Sequence, residues 1–183
     1  MAPSKIALPG DVLVVRTPGV FAWAIRLGAR LRGKPSLDNH VAVMHHRDEN
    51  GVWWAIEGRP GGVGWVDATE YLHNQYTITN WQQEKDQSQR FLVIKIIEAL
   101  LHTPYDWPAI AADAITDLHL PDLWAEKWSG KPPGHVVCSS LAAWGYYKAG
   151  LPNPATDKLD PKADMSVVQP FDWEDWIVQH HYQ

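Results

Sequence analysis

The sequence contains one cysteine, Cys138, which excludes an internal disulfide and any zinc site built on several thiolates. It has no basic excess. Sixteen Lys and Arg stand against 21 Asp and Glu, a formal charge of −5, and this argues against a general nucleic-acid binder. Long apolar runs are also missing: Phe91–Ile97 is interrupted by Lys95, whereas a membrane span needs roughly 20 apolar residues, so stable membrane insertion is not expected. The first 15 residues are broken by Pro9, Gly10 and Asp11 and lack the continuous core of a signal peptide. Cytoplasmic folding is therefore expected, with action outside the cell requiring separate export or lysis. Neither an internal repeat nor a low-complexity linker is visible.

What is present is an ordinary globular composition, 45% hydrophobic and 20% charged over 183 residues. This is long enough for one core without staples, and it predicts a single domain spanning 1–183 with a monomer as the default. Tryptophan is abundant, 11 against 6 Tyr and 3 Phe. Because Trp is chiefly a core residue with a polar handle, the Trp53, Trp54 and Trp65 group is read as strand and core packing rather than a carbohydrate platform.

Along the chain, Val12–Val15 reads as a short buried strand after a Pro-Gly-Asp turn. Phe21–Leu31 reads as an amphipathic helix with Arg26 and Arg30 on one face, a row that Lys34 would extend. That row is expected to be a solvated face, with a clamp for an anionic substrate as the sharper alternative. His40–His46 and Val52–Glu57 are β-rich runs joined by a hairpin connection, followed by a turn over Arg59–Gly64 and another strand or short helix through Trp65–Tyr71. Ser88–His102 is the clearest helix, with Phe91, Ile94, Leu101 and Ile97 or Ala99 expected inside and Pro104 ending it. The Pro-broken stretch 106–130 is expected to form a flap or insertion over a cleft. Cys138–Ala149 is a helix that Gly150 closes in a left-handed conformation, and a last helical piece falls near Trp173–Gln179. The fold class is α+β, an antiparallel sheet packed against the cysteine-bearing helix.

Cys138 follows a Pro/Gly loop and opens a helix, a position whose dipole favours a thiolate; its position alone equally suits a buried structural cysteine. A nucleophilic cysteine needs a base and a group that orients the base. His40 begins a strand, where side chains are held more rigidly than in loops. If Arg47–Asn50 is a four-residue loop, His40 lies opposite Glu57, within reach of a His–carboxylate hydrogen bond. A one-residue slip would turn Glu57 to the other face. His180 and His181, the only histidines after Cys138 in the chain, sit in a polar tail and are rejected as the base. The adjacent pairs His45-His46 and His180-His181 make poor chelates, since neighbouring strand residues point to opposite faces. No metal site is assigned.

Pro104-Tyr105-Asp106-Trp107 followed by Cys138-Ser139-Ser140-Leu141 resembles the pattern of NlpC-type cysteine peptidases, which have a papain-like core. In ordinary members the cysteine helix comes first. Here Gly10-Asp11-Val12, His40-Val41-Ala42-Val43 and Ala55-Ile56-Glu57-Gly58 all precede Cys138, an order that resembles the circularly permuted branch, the YiiX-like and lecithin:retinol acyltransferase-like proteins. The resemblance covers most of residues 10–151 through short motifs. It implies Cys138 as nucleophile, His40 as base, Glu57 as orienting residue, and Tyr105 assisting substrate or oxyanion binding. Pro108 after Trp107, and Gly134-His135-Val136-Val137 before Cys138, depart from the family and bear on cell-wall peptide specificity. The expected function is a cysteine hydrolase that cleaves an amide bond through a thioester and requires no metal or organic cofactor. Its substrate would be a small peptide, such as a cell-wall peptide, or an acylated molecule. Two alternatives stay open: a lipid or thioester acyl hydrolase or acyltransferase, and a catalytically silent papain-like binding module.

Overall fold

All four residues of β1 (Val12–Val15) are buried, as expected of a strand covered on both faces. The computed structural model describes residues 7–31, 33–34, 36–73, 76–79, 87–106, 134, 136–155, 165 and 168–181; past Asp106, the flap expected at 106–130 lies outside them. In chain order the elements are β1, α1 (Val20–Leu31), β2 (His40–Arg47), β3 (Trp53–Arg59), β4 (Gly62–Asp67), α2 (Thr69–His73), β5 (Tyr76–Ile78), α3 (Gln87–Glu98), α4 (Cys138–Lys148) and α5 (Pro170–His181). The five strands form one antiparallel sheet in the order β4-β3-β2-β1-β5, so the chain is α+β.

Strand alternation sorts the sheet into two cores. Val12, Val14, Val41, Val43, Ile56 and Val63 pack with Val93 and Ile97 of α3, Leu141 and Tyr146 of α4, and Trp173 of α5. Leu13, Val15, Ala42, Met44, Ala55 and Ile78 form a smaller cluster on the other face, roofed partly by Tyr71 and Leu72 of α2. Residues Cys138 to Tyr146 of α4 are all buried, the mark of a helix enclosed on every side. Gly145 permits this closeness, because a Cβ there would stand 2.7 Å from Cδ1 of Ile97. Trp173 is 0% exposed, and its indole N–H donates to the Ser139 carbonyl at 3.1 Å, so the polar handle is satisfied within the core. Gly150, at φ 73°, lies just past α4 as expected.

Several expectations are corrected. Phe91 is 61% exposed; the buried face of α3 is Arg90, Val93, Ile94 and Ile97, and Leu100 follows it. That face is chosen by contact with α4 and by Arg90, whose Nη1 pairs with Asp11 Oδ1 at 2.6 Å. The turn after β3 is shorter than Arg59–Gly64, since β4 already begins at Gly62. Trp65 is 39% exposed rather than core. The hairpin register also differs: Ala42, not His40, lies opposite Glu57, and a bulge interrupts β2 between Met44 and His46. The Asp48 carboxylate accepts from the N–H groups of Asn50 and Val52, which stabilises a longer connection than the four residues expected. At the bulge the rings of His45 and His46 approach to 2.7 Å between Nδ1 atoms instead of facing opposite ways, and His45 Nε2 lies 2.8 Å from Glu98.

The Arg26/Arg30/Lys34 row is divided. Arg26 donates to the Thr17 carbonyl at 3.1 Å and to Asn39 Oδ1 at 2.9 Å, and Lys34 pairs with Asp172 and Asp175 of α5 at 3.1 and 3.3 Å. Arg30 and Lys34 are exposed, as expected of a solvated face, whereas Arg26 is half-buried. Among the described residues no helix is long and apolar enough to cross a membrane.

Candidate active site

The site lies at the end of the sheet where β2 begins and β3 finishes. His40 is the first residue of β2, bridged to Val15 of β1. Asn39 before it is tied down on both sides, its Oδ1 accepting from Thr17 N–H at 3.1 Å and its Nδ2 donating to Thr17 Oγ1 at 2.7 Å. Glu57 sits two residues along the ladder from a direct pairing with His40. The parity of the register keeps both on one face, and a diagonal pair of long side chains still meets. His40 Nε2 lies 2.8 Å from Glu57 Oε2.

His40 also lies near the Cys138 sulfur, close enough for the charge state of the imidazole to respond to it. Cys138 is the first residue of α4 and is 4% exposed. It reaches the sheet because residue 58 is glycine: a Cβ on Gly58 would stand 3.3 Å from the Cys138 backbone nitrogen. Ser140 braces the helix start, its hydroxyl accepting from Val137 N–H at 3.2 Å and donating to the Val137 carbonyl at 3.1 Å. Tyr105 is placed by an isolated parallel bridge to Val136, with Asp106 N–H donating to the Val136 carbonyl at 3.0 Å and Val136 N–H to the Pro104 carbonyl at 3.1 Å. This joins the Pro-Tyr segment to Val136, two residues before Cys138.

Two side chains that sequence reasoning did not single out complete the surroundings of Glu57. The Tyr71 hydroxyl donates to Oε2 at 3.1 Å, with its ring edge-on to His40 at 6.3 Å between centroids. Arg59 Nε lies 3.3 Å from Oε1. Arg59 follows Glu57 at the same-face spacing of a strand, a readable signal. Tyr71 had none, because its position depends on how α2 folds back over the sheet.

The electrostatics follow from these contacts. Burial opposes a charge on His40, but the Cys138 sulfur and then Glu57 outweigh it, and the imidazole is pushed up to about 10. Burial works against the Glu57 carboxylate too, yet the His40 hydrogen bond and charge, with Arg59 and Tyr71, hold it below the usual range. Burial first, and then the charges of Cys138 and Glu57, raise Tyr105, which keeps its proton. The arrangement therefore favours a charged imidazole held against the Glu57 carboxylate.

A cleft of about 260 Å³ opens on the site, lined by Pro18, Ala22 and Ile25 together with His40, Glu57, Arg59, Tyr71 and Tyr105. Cys138 is not itself a lining residue; it lies against Gly58 and His40, which are. Two other described histidines are engaged elsewhere, His180 on Trp176 (2.8 Å to its carbonyl, rings stacked at 4.5 Å) and His45 on Glu98. Among the described residues no group of three or more His, Cys, Asp or Glu is placed to hold a metal ion. No protein-family model matches the chain, and a search of curated proteins returns no match.

Proposed function

We propose that the protein is a cysteine hydrolase that cleaves an amide through a thioester, with a permuted papain-like arrangement in which the His and Glu strands precede the Cys helix. The observation that carries this reading is His40, held by Glu57 at 2.8 Å through Nε2 while lying near the Cys138 sulfur at the start of α4. Three residues from β2, β3 and α4, up to 98 positions apart in the chain, meet in the order that nucleophilic catalysis requires.

In this mechanism the Cys138 thiolate adds to the substrate carbonyl carbon, and the carbonyl electrons move onto oxygen. N–H groups of the first turn of α4, which have no partner within the helix, and the protonated Tyr105 hydroxyl stabilise that oxyanion. Collapse breaks the C–N bond as His40 gives its proton to the departing amine, leaving Cys138 as a thioester. Neutral His40 then takes a proton from water, the hydroxide equivalent attacks the thioester, and the acid leaves with the thiolate restored. Glu57 fixes the ring and stabilises the imidazolium throughout. The cleft lining of Pro18, Ala22 and Ile25 gives the acyl hydrolase or acyltransferase reading its one specific support, since the same thioester then passes its acyl group to water or to another acceptor.

The test is acylation by p-nitrophenyl acetate followed by intact-protein mass spectrometry. The wild type is expected to carry one acetyl group on Cys138 with a matching burst of nitrophenolate. Cys138→Ala should carry none, and His40→Ala should acylate at least about 100-fold more slowly. A wild type that does not acylate contradicts the reading and leaves a binding module.

A further inference from the structure

Resting on the hydrolase reading, the structure assigns Arg59 as the residue that selects an anionic substrate, one bearing a carboxylate close to the scissile bond. The charged groups lining the cleft are not equally presented. The Glu57 side chain is 3% exposed and His40 14%, whereas Arg59 is 46% exposed. A ligand entering the cleft therefore meets a guanidinium, while the acid that balances it is shielded behind His40 and Tyr71.

Arg59 is also oriented in advance. Its Nε is held by Glu57 Oε1 at 3.3 Å and its Nη2 donates to the Trp65 carbonyl at 2.5 Å. Two fixed points set the plane of the fork, and Nη1 has no partner among the described residues. A guanidinium fixed in this way binds a carboxylate with less loss of side-chain freedom than a loose surface arginine would. Its position is close to the chemistry, because Arg59 directly follows Gly58, against which the Cys138 backbone rests. Pro18, Ala22 and Ile25, which also line the cleft, offer no countercharge and suit an aliphatic portion of the same molecule. Together the lining residues define an amphipathic amide, with an apolar portion and a carboxylate. Arg26 and Lys34 do not compete for the anion, being bound to Thr17, Asn39, Asp172 and Asp175.

The test uses two thiol reagents of equal reach and opposite charge, 2-sulfonatoethyl and 2-(trimethylammonium)ethyl methanethiosulfonate, and reads the rate at which each modifies Cys138, the sole cysteine. The ratio of anionic to cationic rates cancels any general change in thiolate reactivity. Arg59→Gln is expected to lower that ratio about fivefold, the value of one partly exposed ion pair, while Arg59→Lys retains most of it. A ratio unchanged by Arg59→Gln, with Cys138 still labelled, overturns the role of Arg59 and leaves the hydrolase reading standing. A Cys138 that neither reagent labels in the folded wild type overturns both.

Discussion

At its first residue α4 meets an imidazole backed by a carboxylate, and about two turns on, at Tyr146, it meets a carboxylate backed by a guanidinium. The second cluster joins Asp11, Arg90, Thr79 and Tyr146: Asp11 accepts from Arg90 at 2.6 Å and from Thr79 Oγ1 at 3.1 Å, and the Tyr146 hydroxyl donates to the Gly10 carbonyl at 2.9 Å. Both clusters are buried acids with cationic partners, and both tie α4 to the sheet. They differ in access and in which partner titrates. Asp11 and Thr79 are fully enclosed, and a guanidinium does not lose its proton in a protein. At the other end, His40 and Glu57 line a cleft, and imidazole is the side chain that exchanges protons most readily. The acids respond accordingly. Burial raises Asp11 despite Arg90, whereas Glu57 is held low despite burial. One end of the helix holds charge still, and the other presents an imidazole that can exchange a proton with the cleft.

The comparison breaks most visibly if Arg90 is truncated. Arg90→Ala leaves Asp11 enclosed without its countercharge, and the expected cost is about 3–5 kcal/mol, read as a lower urea midpoint. The equivalent loss at the open end should be far smaller, so Glu57→Gln measured alongside tests whether the two clusters differ as described. Gly58→Ala is the next step down. The added methyl would sit 3.3 Å from the Cys138 nitrogen and 3.4 Å from its Cα, and stability should fall by about 1 kcal/mol while acylation of Cys138 falls proportionately more. A stability loss with unaltered acylation would show that α4 does not need this close approach.

The smallest effect is a pH dependence with a definite sign. His40 is raised from 6.5 to about 10, so its contribution to stability is complete below 6.5 and is lost as pH rises through about 10. Urea midpoints should therefore decline over that window in the wild type and decline less in His40→Ala. With an amide substrate, the acylation rate should fall on the alkaline side over the same range, as the imidazolium that protonates the departing amine disappears. Glu57→Gln should draw that fall towards neutrality, because a neutral amide stabilises the imidazolium less.

The site was more legible in the sequence than the packing around it. A helix-opening cysteine, a strand-opening histidine and an acid in the next strand are local signals; His40 and Glu57 meet at 2.8 Å, and Cys138 lies near the imidazole. The register that suggested the His40–Glu57 pair was nevertheless wrong by two positions: Asp48 organises a longer loop and β2 bulges before His46. The pair survived because a shift of two preserves the face, while a shift of one would have reversed it. Tyr71 and the Asp11–Arg90 pair could not be read in this way. Their partners are brought together by tertiary folding across 14 and 79 residues, with no periodicity to announce them. Phe91 was misplaced for a related reason, since α3 has apolar residues on more than one side and only contact with Gly145 and Asp11 selects the buried one.

The most direct measurement is the rate of Cys138 alkylation by iodoacetamide as a function of pH, in the wild type and in His40→Ala. The proposed pairing of Cys138 with His40 requires the folded wild type to alkylate faster than His40→Ala near neutral pH, with the two rates converging as the pH becomes alkaline. Identical profiles for the two proteins, or a wild-type thiol that stays inert until the protein unfolds, would contradict it and leave Cys138 as a core residue.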